Sequence, residues 1–162
     1  MLKSKIYQIN VKPKTQDGVG LPKEKVSKGI ITFNGIEKDF NNYRKLKKKN
    51  THDMAIMILS MDVINKLRLE GWPVKPGDLG ENLTLDNVNY NSLKPGNKYK
   101  IGNVELQISF ICAPCKKLEN LKYVGLSKIG SFIKTLKDRR GWYCKVLKEC
   151  TIEGGDFFEK LN

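Results

Sequence analysis

The sequence predicts a mainly β fold, of α+β type, with a few helices packed outside a barrel or sandwich. Three observations carry this. Short stretches rich in Ile, Val, Leu and aromatic residues recur along the chain, bounded by Gly, Pro, Asn or Asp. Only two stretches have the apolar spacing of amphipathic helices. Gly102-Asn103, inside a long strand-like segment, has the composition of a tight hairpin turn. Many short strands with few helices pack as sheet on sheet or as a sheet curled on itself.

In chain order, strands are expected at 3–11, 26–33, 55–60, 82–86, 98–111 and 142–150, with the fifth split in two by its hairpin. The first helix spans 61–70. Ser60 can cap it, Asp62 suits its first turn, and Gly71 and Pro73 end it. The second spans 127–138, where Ile129, Phe132, Ile133 and Leu136 fall on one face. Ser127 is its expected cap and Gly141 its stop. The run from Arg44 to Lys49 lies in a polar, Asn-rich stretch and reads as a solvated loop.

The 162 residues suffice for one domain spanning 1–162 with its own core. Apolar residues make up 40% and charged residues 29%, as in an ordinary globular protein. No apolar run approaches the roughly 18 residues of a membrane span. The alternating N-terminus, MLKSKIYQINV, lacks the features of a signal peptide, so a cytoplasmic location is expected. In that compartment Cys112, Cys115, Cys144 and Cys150 do not form a disulfide framework. The net charge of +13 suits an anionic partner. A compositional bias toward Lys and Asn is the stronger explanation: Arg44, Arg68, Arg139 and Arg140 are the only arginines. Nucleic-acid binding is the weakest reading, because the strands lack interleaved exposed aromatics for stacking bases.

Chemistry concentrates in Cys112-Ala113-Pro114-Cys115. Four readings stand at this level. A thioredoxin-like redox pair needs a helix starting at the first cysteine, and Asn120 and Gly125 interrupt the following stretch. A zinc site needs four ligands; all four thiolates could supply them, although the usual second Cys-x2-Cys pair is absent. In a third reading the two thiols are small apolar groups at a strand end. The fourth reading is a single nucleophilic Cys115, held at a turn by Pro114 and followed by Lys116 and Lys117, since neighbouring cations favour the thiolate.

Other segments join this one in a specific order. They are 22-PKEKV-26, 35-GIEKD-39, 76-PGDLGENLTLDNV-88, 93-LKPGNKYKIGNVELQIS-109, Pro114-Cys115-Lys116-Lys117-Leu118 and 139-RRGWYCKVLKECTIEGGD-156. From about residue 20 to 158 this order resembles a stand-alone MOSC domain, the module named for the C-terminal part of molybdenum-cofactor sulfurase. The resemblance implies a closed, distorted β-barrel and a cytoplasmic protein that handles the pyranopterin molybdenum cofactor (molybdopterin) or sulfur, without pyridoxal phosphate. It implies that Cys115 carries a persulfide or meets the metal, as part of a sulfur transferase or a molybdenum-dependent reductase. Arg139 and Arg140 would grip a phosphate with forked hydrogen bonds. Lys23 would join them, and Glu81, Asn82 and Thr84 would meet the pterin edge; His52, the sole histidine, could donate a proton, but its polar segment favours a surface histidine. These groups, with Cys115, are then expected to converge, with Cys112 pointing away or lining the wall. The implied partners are the pterin cofactor or a sulfur-donor protein, and a redox protein, since no haem or flavin signature is present. The alternative is a non-catalytic module for a phosphorylated small molecule. The chain departs from the family pattern at Asn50-Thr51-His52-Asp53-Met54-Ala55, where Met54 stands about where an arginine is common, and in the lysine-rich insertion.

Overall fold

Alternating burial is clearest in the strand Val104–Ile111, where Val104, Leu106 and Ile108 are buried and the residues between them are not. The computed structural model describes residues 2–16 and 18–162. Among them the strands are β1 (Lys5–Val11), β2 (Glu24–Val26), β3 (Lys28–Thr32), β4 (Gly35–Ile36), β5 (Ile56–Ser60), β6 (Leu83–Asp86), β7 (Lys98–Ile101), β8 (Val104–Ile111), β9 (Trp142–Lys148), β10 (Cys150–Glu153) and β11 (Phe158–Lys160). The helices are α1 (Asn42–Lys47), α2 (Met61–Leu69) and α3 (Gly125–Thr135). The fold is mainly β with few helices, as the sequence predicts.

One sheet has eight strands in the order β11-β7-β8-β9-β5-β6-β1-β2, and a second has the order β10-β3-β4. In the larger sheet only β5 and β6 run parallel, and α2 lies in the crossover that such a pair requires. All five residues of β5 are buried, as expected of a central strand covered on both faces. The expected closed barrel is not formed as a continuous ladder, because β2 and β11 are edges of an open order. The sheet does curl back on itself: Lys5 makes an isolated bridge to Phe157, and the Ile6 amide donates to Asp156 O at 2.9 Å.

The strand expected over 142–150 is two strands. The chain breaks at Glu149, and β10 leaves β9 to pair with β3 in the smaller sheet. The Glu149 carboxylate accepts from the Phe33 amide at 2.7 Å across that break. The short strands β2, β4 and β11 carry too few residues to show a period.

The α2 prediction holds closely. Ser60 Oγ accepts from the Asp62 amide at 3.2 Å, and Gly71 follows with φ of +93°. In α3, Phe132 is fully buried and Ile129 and Ile133 half-buried, and Leu136, just past its end, is also fully buried. Its ends differ from expectation: it begins at Gly125, so Ser127 lies inside it, and it stops at Thr135, well before Gly141. The basic run expected to be a loop contains α1, capped by Asn41 Oδ1 accepting from the Arg44 amide at 3.0 Å. Arg44 is buried and donates to the carbonyls of Thr51 (2.6 Å), Asn50 (3.3 Å) and Asn34. This buried guanidinium, satisfied by main-chain acceptors, ties the insertion to the turn between β3 and β4. No helix among the described residues is long and apolar enough to cross a membrane.

Candidate functional site

Beyond Ile111 the chain leaves the larger sheet. The Cys112 amide donates to Gly141 O at 2.8 Å, which keeps 112–115 beside the start of β9. A register shift between Ile108 and Phe110 ends the regular alternation of β8. Phe110 and Tyr143 then pair at the sheet end, ring centroids 5.4 Å apart, and form one wall of a cleft of about 960 Å³. Leu21 and Met57 add apolar surface, and α1 brings Tyr43 to the rim. The volume is that of a small-molecule site.

Cys115 lies in this cleft and is the exposed thiol of the four. It precedes a single 3-10 turn, Lys116–Asn120, with Lys116 and Lys117 on the cleft wall. Arg140 is only 7% exposed, and its guanidinium is held at three points. Nε donates to Leu79 O at 3.2 Å, and Nη1 donates to Ala113 O at 2.8 Å and to Cys115 Sγ at 3.3 Å. Burial alone would lower the Arg140 pKa; the negative charge available on Cys112 and Cys115 outweighs it, and the net shift is upward. Burial pushes the Cys112 thiol up and Arg140 pulls it back in part. Cys112 is 2% exposed and forms part of the cleft wall.

Lys23 lines the same cleft, 7% exposed, with Nζ 2.5 Å from Asp39 Oδ2. Asp39 also accepts from Asn82 Nδ2 at 2.9 Å and from the Lys12 amide at 2.8 Å. The Lys23 charge is therefore largely balanced within the protein.

The MOSC domain family model matches residues 43–159, well over half of the chain. The chain belongs to the MOSC domain family. Among solved structures, the YuaD protein of Bacillus subtilis aligns with a TM-score of 0.78 at 18% identity, covering 98% of this chain and 96% of its own. YiiM of Geobacillus stearothermophilus gives 0.73 at 24% identity, covering 98% and 75%. YiiM of Escherichia coli gives 0.66 at 19%, covering 99% and 69%. At these identities the likeness is one of fold. No curated protein matches the chain.

Within this MOSC domain, Lys23, Cys115 and Arg140 line one cleft, and several expected companions do not. Arg139 points the other way. Its guanidinium makes a forked pair with Glu70 at 2.7 and 2.5 Å, and its Nε donates to Thr135 O at 2.6 Å at the end of α3. That pairing lowers the Glu70 pKa. Glu81 and Thr84 are fully buried behind the cleft wall, not presented to a pterin edge. Asn82 is 4% exposed with its amide spent on protein: Oδ1 accepts from the Met57 amide at 3.0 Å while Nδ2 meets Asp39. His52 is an exposed residue of a 3-10 turn whose neighbours Thr51, Asp53 and Met54 line the cleft. Sequence reasoning missed Asp39, Phe110, Tyr143 and Tyr43. Asp39 stood in the quoted 35-GIEKD-39 segment; the aromatic residues carried no local signal, since their convergence depends on the β8 register shift and on α1.

The other readings of the cysteines also meet the structure. No helix starts at Cys112. Cys144 is fully buried in β9 and Cys150 sits on β10 in the other sheet, so the four thiols do not gather. Among the described residues no three His, Cys, Asp or Glu side chains cluster to hold a metal. Limited alkylation at neutral pH, followed by peptide mapping, should label Cys115 first and Cys150 more slowly. Cys112 and Cys144 should react only on unfolding; early labelling of either would contradict their burial.

Proposed function

We propose that this MOSC domain binds the pyranopterin molybdenum cofactor in the cleft, with Cys115 as the group that meets the metal or carries a transferable sulfur. The observation that carries the reading is the hydrogen bond from buried Arg140 Nη1 to Cys115 Sγ at 3.3 Å on the wall of a small-molecule cleft. A guanidinium in that place can donate a charge-assisted hydrogen bond to sulfur held as a persulfide or metal ligand. The donor set fits the group. Apolar walls at Leu21, Met57 and Phe110 match a flat fused ring system, and Lys48, Lys116 and Lys117 at the mouth suit its phosphate. When bound, the cofactor supplies a metal centre able to accept or release oxygen or sulfur. The protein contributes the thiol, its charge partner and a partly enclosed apolar surface. Sulfur-donor or redox proteins would approach the exposed face of Cys115.

The test is purification from a host that makes the cofactor, with molybdenum and pterin analysis. Wild-type protein should carry both. Cys115→Ser should lose molybdenum by about tenfold or more, given that removing even an outer partner of a metal ligand costs 10–100-fold. A reductant-labile sulfur on Cys115 without molybdenum would select the persulfide form of the proposal. Phosphorylated ligand retained equally by Cys115→Ser would favour the non-catalytic binding module. Wild-type protein free of molybdenum, pterin and sulfur adduct would sink the proposal.

A further inference from the structure

Glu81 is fully buried and lies outside the cleft, yet it is bonded to the loop that reaches the cleft residues Lys23 and Arg140. Its Oε1 accepts from the Gly77 amide at 2.6 Å and from Thr84 Oγ1 at 3.0 Å, while Oε2 has no hydrogen-bond partner. The loop 76–80 that it grips has two further attachments. Gly77 O accepts from the Lys23 amide at 2.9 Å, and Leu79 O accepts from Arg140 Nε at 3.2 Å. Gly77 has φ of +91°, and a Cβ there would stand 2.4 Å from Lys23 O. The loop therefore runs against the Lys23 main chain with no room for a side chain.

We infer that Glu81 is a positioning residue for the buried cleft cation Arg140, acting through the loop from Gly77 to Leu79. The physical reason is accounting of buried main-chain groups. The Gly77 amide is satisfied from behind by a carboxyl oxygen, and without it a donor would be left unpaired in a buried loop. The loop would shift to find another partner, carrying Leu79 O with it. Arg140 would lose the anchor at Nε that aims Nη1 at Cys115. Asp78 assists: it accepts from the Lys75 amide and from Tyr123 Oη, each at 2.9 Å, which pins the loop's other side. Among Glu81, Asn82 and Thr84, once read together as ligand contacts, Glu81 thus gains a distinct role.

The inference rests on Cys115 and Arg140 forming the reactive pair, and the experiment separates the two ideas. The probe is the rate of Cys115 alkylation by iodoacetamide at neutral pH in folded protein. Arg140→Ala should slow it about tenfold, the scale on which an adjacent cation changes a thiol's reactivity. Glu81→Ala should slow it similarly, and the double variant should be no slower than Arg140→Ala alone. Glu81→Gln, which keeps the acceptor for Gly77, should restore the wild-type rate. If Glu81→Ala does not fold, Thr84→Val, which removes the hydroxyl holding Oε1, is read in the same way. An unchanged rate in a folded Glu81 or Thr84 variant overturns the inference while leaving the Cys115–Arg140 pair standing. So does a further slowing when Glu81→Ala is added to Arg140→Ala. An unchanged rate in Arg140→Ala overturns both.

Discussion

Phe132→Ala is expected to lower the stability of the folded protein by about 3–5 kcal/mol, the range for truncating a fully buried aromatic side chain. Phe132 has no exposed surface. Its ring lies 4.6 Å from the Trp72 ring and 6.1 Å from that of Tyr123, the latter edge-on. Truncation removes both aromatic contacts and leaves a cavity between α3 and the segment after α2. The damage reaches the cleft as well, because Tyr123 Oη donates to Asp78 in the loop behind Arg140. Phe132→Leu, which fills most of the volume, should do much less harm. Equilibrium urea denaturation checks this, and a loss well under about one kcal/mol would mean that α3 does not pack as described.

The second large effect is a pH dependence of stability set by Glu81. Burial pushes its carboxyl pKa from the ordinary 4.5 to about 7, against the hydrogen bonds from Gly77 and Thr84; the nearby Asp78 adds to the rise. The folded state therefore keeps a proton that the unfolded chain releases. Below pH 4.5 both states are protonated and Glu81 contributes no slope. Between 4.5 and about 7 the unfolded chain alone ionises, so stability falls as pH rises; above 7 the contribution is level. The loss across this window is on the order of 3 kcal/mol. Asp78 also has a raised pKa, through burial, and it titrates in both proteins. The quantity to measure is thus the stability of wild type relative to Glu81→Gln, by urea denaturation from pH 4 to 8. A difference that is flat, or that favours wild type as pH rises, would show that the carboxyl is not buried as a neutral acid.

Local pattern alone determined much of this protein. The spacing of Ile129, Phe132, Ile133 and Leu136 specified the buried face of α3, and Ser60 with Gly71 bracketed α2, because caps and helical periods act over a few residues. The Gly102-Asn103 hairpin, the mainly β character and the MOSC family were legible for the same reason: each rests on residue type and order. The tertiary structure decided everything that depends on which way a side chain faces across a gap. Arg139 and Arg140 are adjacent and chemically identical, yet one pairs with Glu70 on the outer surface and the other is buried against Cys115. Glu81 reads as a contact to the pterin edge, and the fold instead buries it completely. The basic run at 44–49 reads as solvated until Arg44 finds three carbonyls, two from Asn50-Thr51 and one from the distant turn at Asn34. A buried charge or polar group is stable only where distant main-chain groups complete its hydrogen bonds. Those partners are assembled by the fold and have no fixed spacing in the chain.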